Sequence, residues 1–247
     1  MNKSFKFSAA FKLVLMAGMA TTLAACGGGD DSPAPVKPPP VVTYAMTMTG
    51  TAATGAAIDN GNVTVACKVG SGTATTDSKG SYTIKVPVPG EGPCVIAVTK
   101  GNLTLRSIAA GDGAKANVTP LSEMLVQYIA VSSGAGATAT PTQLAQSANV
   151  KTIVTNPTMM SATVTEVIKV VQTAAGPGVT VPADFLTGTL IPKDATNPGN
   201  ALDQVLEILK TKNVVTPGGQ VAAEVIQRVI DNAKNNPVTG GTGGSGG

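Results

Sequence analysis

The chemistry open to this chain is limited first by what the sequence lacks, since it contains no histidine and only three cysteines. Ser-His-Asp and Cys-His catalytic arrangements are therefore excluded, and so are metal sites with histidine ligands. The Gly-x-Ser-x-Gly pattern around Ser245 lies at the end of the sequence, without the preceding strand and following helix of a nucleophile elbow. The sequence has neither a Ser-x-x-Lys pair nor the Gly-Lys-Ser/Thr of a phosphate-binding loop.

Carboxylates remain available for acid–base or metal chemistry. Asp203 and Glu207 are four residues apart in a helical pattern, which places them on one face. That face points away from the leucine stripe of the same segment, so we interpret the pair as solvated. Asp59, Asp77 and Asp112 lie in turn-like stretches where calcium could bind through oxygen atoms, but their spacing is not that of an EF-hand. Turn formation is the preferred interpretation, and the sequence predicts no metal ion, no cofactor and no catalytic residue.

The first cysteine follows a segment with the pattern of an export signal. Three lysines precede the apolar run LVLMAGMATTLAA, which covers residues 13–25 and is followed by Cys26 and three glycines. The run is too short for a helix that crosses a bilayer of about 30 Å. Its basic flank and its small residues at the end are typical of a secretory signal peptide, which we predict over residues 1–25.

The residues Leu23-Ala24-Ala25-Cys26 resemble the lipobox of bacterial lipoproteins. The resemblance implies that the thiol of Cys26 is diacylated and that this residue becomes the acylated N-terminus after cleavage. Because Gly27 rather than aspartate follows the cysteine, the sorting preference of that class implies an outer-membrane location in the bacterial cell envelope. The alternative is an ordinary signal peptide cut after Ala25, which would leave an unpaired thiol in an oxidising compartment.

Removal of the signal peptide changes the charge balance. It would take away three of the 17 Lys and Arg residues and none of the 14 Asp and Glu residues, so that positive and negative charges become equal. Without a basic excess, the usual electrostatic basis for nucleic-acid binding is missing. We expect a membrane partner through the N-terminal lipid anchor, and no nucleic acid.

Residues 26–42 form a Gly/Pro-rich linker in the sequence pattern, with five prolines between Pro33 and Pro40. Such a segment cannot bury a core, and its prolines favour a polyproline II spacer. At about 3 Å per residue it could hold a folded domain about 40 Å from the bilayer. The sequence therefore predicts a stalk.

Residues 43–118 show the period-two pattern of β-strands. Apolar residues alternate with polar or small ones in short runs, which are separated by turn signals such as Asp59-Asn60-Gly61. The inward positions are predicted as Tyr44, Met46, Met48, Val63, Val65, Cys67, Tyr82, Ile84, Val86, Cys94, Ile96, Val98, Leu103 and Leu105. Several short alternating strands at this spacing indicate an antiparallel, Ig-like β-sandwich.

The other two cysteines occupy inward positions of this pattern. Cys67 shares its face with Val63 and Val65, and Cys94 shares its face with Ile96 and Val98. In an exported protein, an even pair on inward positions predicts a disulfide between Cys67 and Cys94. The alternative is two buried free thiols.

The stretch from Gly50 to Ser107 is similar to the carboxypeptidase-regulatory-like, or transthyretin-like, β-sandwich of bacterial surface proteins. Its recognisable centre is Thr76-Asp77-x-x-Gly80-x-Tyr82, in which Asp77 and Gly80 suit a tight turn and Tyr82 enters the core. In this position such domains usually serve as scaffold or adhesion modules and carry no catalytic residues.

After residue 118 the period changes to that of helices, and residues 119–236 are predicted as a mostly α-helical region. Thr119-Pro120 and Thr140-Pro141 provide N-caps for two helices. Three further helices are predicted from apolar stripes: one over residues 162–175, one marked by Leu202, Val205, Leu206 and Leu209, and one marked by Val221, Val225, Ile226, Val229 and Ile230. Residues 237–247 form a Gly-rich tail. The predicted fold class is therefore α+β, a β-sandwich followed by helices.

The predicted function is that of a non-enzymatic, lipid-anchored envelope protein that presents a structural or interaction surface to another protein or to the cell wall. The alternative is a lipoprotein that binds a small ligand or glycan in a pocket between the sandwich and the helices. Few aromatic residues are present, 3% of the chain, and there is no tryptophan. The scarcity of aromatic platforms disfavours glycan binding.

Overall fold

The computed structural model describes residues 42–238, in which strands come first and helices follow. The fold is mixed α+β, with six strands and six α-helices among the described residues. The strands are β1 Tyr44–Thr51, β2 Asn62–Val69, β3 Ser71–Thr75, β4 Ser81–Pro87, β5 Glu91–Lys100 and β6 Leu103–Ala109. The helices are α1 Pro120–Ser132, α2 Pro141–Gln146, α3 Ala148–Thr155, α4 Pro157–Ala175, α5 Ala201–Thr211 and α6 Ala223–Asn235. The predicted signal peptide, most of the linker and residues 239–247 of the tail lie outside the described residues.

The strands form two antiparallel sheets, one in the order β3-β2-β5-β6 and the other made of β1 and β4. The predicted alternation is clearest in β4, where Tyr82, Ile84 and Val86 are buried and the residues between them are exposed. Both sheets contribute side chains to one apolar cluster, which includes Met48 from β1 and Ile96 from β5. A strand with alternating apolar residues buries one of its faces, and the residues buried in this way from both sheets lie in this cluster.

Helices cover the other face of the four-stranded sheet. Val95 and Ile108 belong to a second apolar cluster, which contains the buried residues of the helices. Helices α1, α2 and α3 pack against β2, β5 and β6. Strand β5 is therefore buried on both faces, which explains why its residues from Pro93 to Val98 are all buried. The described strands and helices belong to one compact unit.

Helices α1 and α2 start with the capping residues predicted from the sequence. The hydroxyl of Thr119 accepts a hydrogen bond from the backbone N–H of Ser122 at 3.2 Å, and the Ser122 hydroxyl accepts one from the Thr119 N–H at 2.8 Å. Thr140 and Gln143 form the same reciprocal pair at the start of α2. Each capping box is followed by proline at the first helical position, where the missing N–H has no cost.

Three details differ from the sequence prediction. Helix α3, capped by Ser147, was not predicted, because only Val150, Ile153 and Val154 mark its buried side. Helix α4 begins at Pro157, five residues before the predicted start, with Asn156 as its cap. Val221 was assigned to the last helix, but it lies before α6 in an isolated bridge with Val215.

Tyr44 was predicted to point into the core, and this was wrong. Its side chain is 48% exposed, whereas Met46 and Met48 are buried as predicted. The register between β1 and β4 shifts between Tyr44 and Met46. A shift of one residue reverses the face on which a side chain lies, so the alternation cannot be extended to the first residue of the strand.

Among the described residues, no helix is both long enough and apolar enough to cross a membrane.

Candidate functional site

The predicted disulfide residues meet between two adjacent strands. Cys67 on β2 is paired directly with Cys94 on β5, and the two sulfur atoms are at disulfide distance, 2.04 Å. Both residues are buried in the cluster shared by the two sheets. A covered pair of this kind offers no thiol to solvent for redox or nucleophilic chemistry. Cys26, the predicted lipidation site, lies outside the described residues.

The interpretation of Asp203 as a solvated carboxylate was wrong, because the residue is completely buried at the start of α5. The preceding segment lies over it: the Lys193 N–H donates a hydrogen bond to Asp203 Oδ2 at 3.0 Å, and Gly199 packs against the carboxylate. A β-carbon at Gly199 would lie only 2.9 Å from Asp203 Cγ, so glycine is needed for this approach. Position on a helical wheel shows the stripe that faces the main core but not the loop that covers a second side.

The pKa of Asp203 is raised to about 6, mainly by burial and to a smaller extent by the neighbouring negative charge of Glu207. The hydrogen bond from Lys193 and the charges of Lys210 and Lys193 act in the opposite direction. Asp203 Oδ1 has no hydrogen-bond partner among the described residues. The group is therefore suited to hold a proton near neutral pH, as a general acid must.

A catalytic acid must line a cavity that a substrate can enter, and Asp203 does not line the cavity beside the segment that covers it. The cavity beside the covering segment, about 90 Å³ in volume, is lined by Lys193, Asp194 and Asn197 but not by Asp203. Glu207, the other member of the predicted pair, is partly exposed and lies 3.5 Å from Lys210. The two carboxylates therefore occupy different environments, one buried and one in a surface ion pair.

The three turn aspartates are engaged in local contacts. Asp77 Oδ1 accepts hydrogen bonds from the N–H groups of Lys79 and Ser81, each at 2.8 Å, and Asp112 Oδ1 accepts one from the Thr47 N–H at 2.7 Å. Asp59 forms an ion pair with Lys100 that lowers the pKa of the carboxylate. Within residues 42–238, no three acidic or cysteine side chains come together in a metal-binding group. These contacts are those of turn residues.

A polar cluster that was not predicted from the sequence joins the sheet to the helices. Arg106 on β6 donates to Glu123 on α1 and, at 3.0 Å, to the side-chain oxygen of Gln127. Gln127 in turn donates to the Ala137 carbonyl at 2.9 Å. Every partner in this chain of contacts is supplied by the protein, so the cluster is a link between two parts of the fold. No local periodicity marks it, since its members lie on different elements.

Asn117 forms a second such link and is completely buried. Its side-chain oxygen accepts a hydrogen bond from the Thr51 N–H at 3.2 Å, and its amide donates to the carbonyls of Phe185 and Gly188 at 3.2 and 2.8 Å. One side chain therefore ties the end of β1 to the segment that follows α4. The sequence gives no periodic signal for this role.

The alternative function predicts a ligand pocket between strands and helices, and a cavity found in such a place is small. It lies beside β6, α1 and α6, and has a volume of about 200 Å³. Its lining residues are Thr104, Leu105, Glu123, Gln220, Val221 and Ile226. Small-molecule pockets typically enclose about 300–1,000 Å³. A larger and mostly apolar groove of about 320 Å³ lies between α4 and the turn at residues 183–187, within the helical part.

Comparisons with known proteins give no family for the chain. It matches no protein-family model, no curated protein and no solved structure.

Proposed function

We propose that this protein is a lipid-anchored component of the bacterial cell envelope, with Cys26 as the acylated residue and the outer membrane as its location. The observation that carries the proposal is the sequence Leu23-Ala24-Ala25-Cys26 directly after a basic and then apolar segment. Two or three acyl chains on one residue provide stable anchoring, which a single chain does not.

The chemistry of the remaining cysteines supports export. Cys67 and Cys94 are paired across adjacent strands at disulfide distance. Structural disulfides persist in oxidising compartments such as the periplasm and the cell surface, and are rare in the reducing cytosol. A cysteine pair so placed suits a protein that folds after translocation.

The folded part is proposed as a transthyretin-like sandwich extended by helices, and several contacts of its motif residues support this. The Thr76 hydroxyl accepts from the Gly61 N–H at 2.7 Å and donates to the Ile58 carbonyl at 2.5 Å. Gly80 has a φ of 75°, which suits glycine at the turn before β4. Tyr82 follows in the core and donates its hydroxyl hydrogen to the Ala116 carbonyl. Each motif residue thus has a role in shaping the turn or filling the core.

The function proposed for this folded part is a non-enzymatic structural or interaction module, presented on the Pro-rich stalk to another protein or to the cell wall. The acidic groups that could do chemistry are engaged in turns, ion pairs or a closed buried site. The small volume of the cavity beside β6, α1 and α6 makes it a weak candidate for a ligand or glycan pocket.

The anchor is tested by replacing Cys26 with serine in a bacterium that acylates lipoproteins, with labelled palmitate as the probe. We expect the Cys26→Ser variant to take up no label and to leave the membrane fraction or to accumulate as precursor. The double variant Cys67→Ser/Cys94→Ser is the matched control, since it removes the other two cysteines and should keep the label. Unchanged labelling of Cys26→Ser would refute the lipid anchor.

The interaction role is tested by crosslinking the acylated protein in intact envelopes, where a reproducible protein or cell-wall adduct is expected.

A further inference from the structure

Large exposed hydrophobic side chains are concentrated at one end of the sheets. Of six such residues in the described part of the chain, four lie together and are 37–58% exposed. These four, which we call the apolar end patch, are Val42, Tyr44, Val69 and Val88. The remaining two, Ile191 and Ile208, lie in the segment before α5 and on α5.

The pairing of the strands brings the members of the patch together. Tyr44 at the start of β1 pairs with Pro87 at the end of β4, and the Val88 N–H donates to the Thr43 carbonyl at 3.1 Å. The turn between β2 and β3 reaches the same place: a β-carbon on Gly70 would lie 3.0 Å from the Pro89 carbonyl oxygen. Val69, next to Gly70, is therefore beside the turn that carries Val88. Three separate segments supply this one apolar surface.

The edge of the patch is basic. Lys85 Nζ lies 5.1 Å from the centre of the Tyr44 ring and is in no ion pair with a described residue. Lys68, adjacent to Val69, lies 2.7 Å from Glu91, which is also 3.0 Å from Lys151. Two lysines thus share a single glutamate, and Lys85 adds a third positive charge beside Tyr44. Exposed aromatic and aliphatic side chains bordered by lysine are the combination that favours the interface of a membrane with anionic lipids.

The position of the apolar end patch along the chain indicates which surface it contacts, because the patch is close to the proposed anchor residue. Val42 is a member of the patch and is also the first described residue, so the chain enters the folded unit at this surface. The segment of residues 27–41 separates it from Cys26 and limits the distance to about 50 Å when fully extended. The tether keeps the patch within this distance of the bilayer and so raises the effective concentration of the bilayer surface for the patch, which makes a weak contact sufficient for docking.

We propose that the apolar end patch docks on the phospholipid headgroup region of the membrane that holds Cys26, so that the folded unit rests on the bilayer. This inference depends on the proposed lipid anchor, and it adds a docked state to the extended state in which the stalk holds the unit about 40 Å from the bilayer. Val88 and Val69 enter the interface, Tyr44 lies at its polar boundary, and the lysines contact lipid phosphates.

The absence of tryptophan from the sequence makes a direct test possible, because one introduced tryptophan is the only indole emitter. The acylated full-length variant Val88→Trp is reconstituted in vesicles of phosphatidylethanolamine with a minor fraction of phosphatidylglycerol, with and without bromine on the acyl chains. Interfacial side chains enter the outer 5–10 Å of the bilayer, and we expect bromination to reduce the emission about two-fold. In the same variant, the additional change Tyr44→Ser should reduce the quenching.

The matched control is Ile191→Trp. Ile191 is similarly exposed, at 42%, and lines a cavity with Ser78 and Lys79. That cavity is near the end of the sheet where Thr51 pairs with Ser81, opposite to the end that carries Tyr44. We expect no quenching of this variant.

Vesicle flotation separates the two proposals. If the protein floats with the vesicles but Val88→Trp is not quenched, or both tryptophan variants are quenched equally, the docking surface is refuted and the lipid anchor stands. If the acylated preparation does not float, the anchor is refuted and the docking inference falls with it. Flotation with selective quenching of Val88→Trp supports both.

Discussion

The guanidinium of Arg106 on β6 and the carboxylate of Glu123 on α1 form a two-point ion pair, with Arg106 Nη2 2.5 Å and Nε 3.1 Å from Glu123 Oε1. The backbone N–H of Arg106 also donates to Glu123 Oε2 at 2.7 Å. The two side chains are only 16% and 14% exposed. Glu123 thus links both the side chain and the backbone of a sheet strand to the first helix. This contact is a main polar connection between the two halves of the compact unit.

Replacement of Glu123 by glutamine should destabilise the protein. The variant keeps the size of the side chain but leaves the guanidinium of Arg106 partly buried without its negative partner. Loss of hydrogen bonds to a charged group in such a site costs about 2 kcal/mol of unfolding free energy. Urea titration measures the change. Lys68→Met is the control, because the ion pair with Glu91 is solvent-exposed and should contribute little. Equal effects of both variants would contradict the role of the Arg106–Glu123 link.

Asn117→Ala should be strongly destabilising. The buried amide satisfies the Thr51 N–H and the carbonyls of Phe185 and Gly188. Alanine would leave these backbone groups without partners, at a cost of about 2–4 kcal/mol of unfolding free energy. Asn102→Ala is the matched control, since Asn102 lies exposed in the turn between β5 and β6. A denaturation midpoint of Asn117→Ala as high as that of the control would show that the amide is not structurally needed.

Those parts of the fold that depend on local pattern could be predicted from the sequence. The alternation of β4 identified Tyr82, Ile84 and Val86 as core residues, and the Thr-Pro pairs marked the starts of α1 and α2. These signals work because one face of a strand and the first turn of a helix are determined by neighbouring residues.

The remaining features depend on segments far apart in the sequence. Asp203 is buried by the loop that carries Lys193 and Gly199, and a helical wheel contains no information about such a loop. Tyr44 is exposed because the pairing of β1 with β4 changes register beside it. The links through Arg106 and Asn117 likewise join residues on different elements, so only the assembled fold brings them into contact.

Removal of the disulfide by the double change Cys67→Ala/Cys94→Ala should lower stability under oxidising conditions. The bond closes a loop with a sequence separation of 27 residues, and the chain-entropy model assigns such a loop about 3–4 kcal/mol. Changing both residues avoids an unpaired buried thiol. The urea midpoint of the double variant is compared with that of oxidised protein and of protein that was reduced while unfolded. The reduced protein should resemble the variant, and identical midpoints for all three samples would contradict a stabilising disulfide.

Asp203 should make stability depend on pH in the mildly acidic range. Burial raises its pKa from the ordinary value of 3.8 to about 6, so the folded state binds this proton more tightly than the unfolded state does. The resulting contribution is fully present below pH 4 and is lost as the pH rises through about 6. In the Asp203→Asn variant no proton can be released at this position. We therefore expect the free energy of unfolding of the unmodified protein, relative to that of Asp203→Asn, to fall by roughly 2 kcal/mol between pH 4 and pH 7.

Urea titrations at intervals across this pH range measure the difference between the two proteins. Glu207→Gln is the control on the same helix: it removes a neighbouring negative charge that raises the pKa of Asp203, so the loss of stability should persist but move to lower pH. The sign of the slope distinguishes the buried carboxyl from an ordinary ion-paired one, because an ion-paired carboxylate with a lowered pKa would make the protein gain stability over the same interval. A relative stability that stays constant or rises from pH 4 to pH 7 would show that Asp203 is ionised in the folded protein.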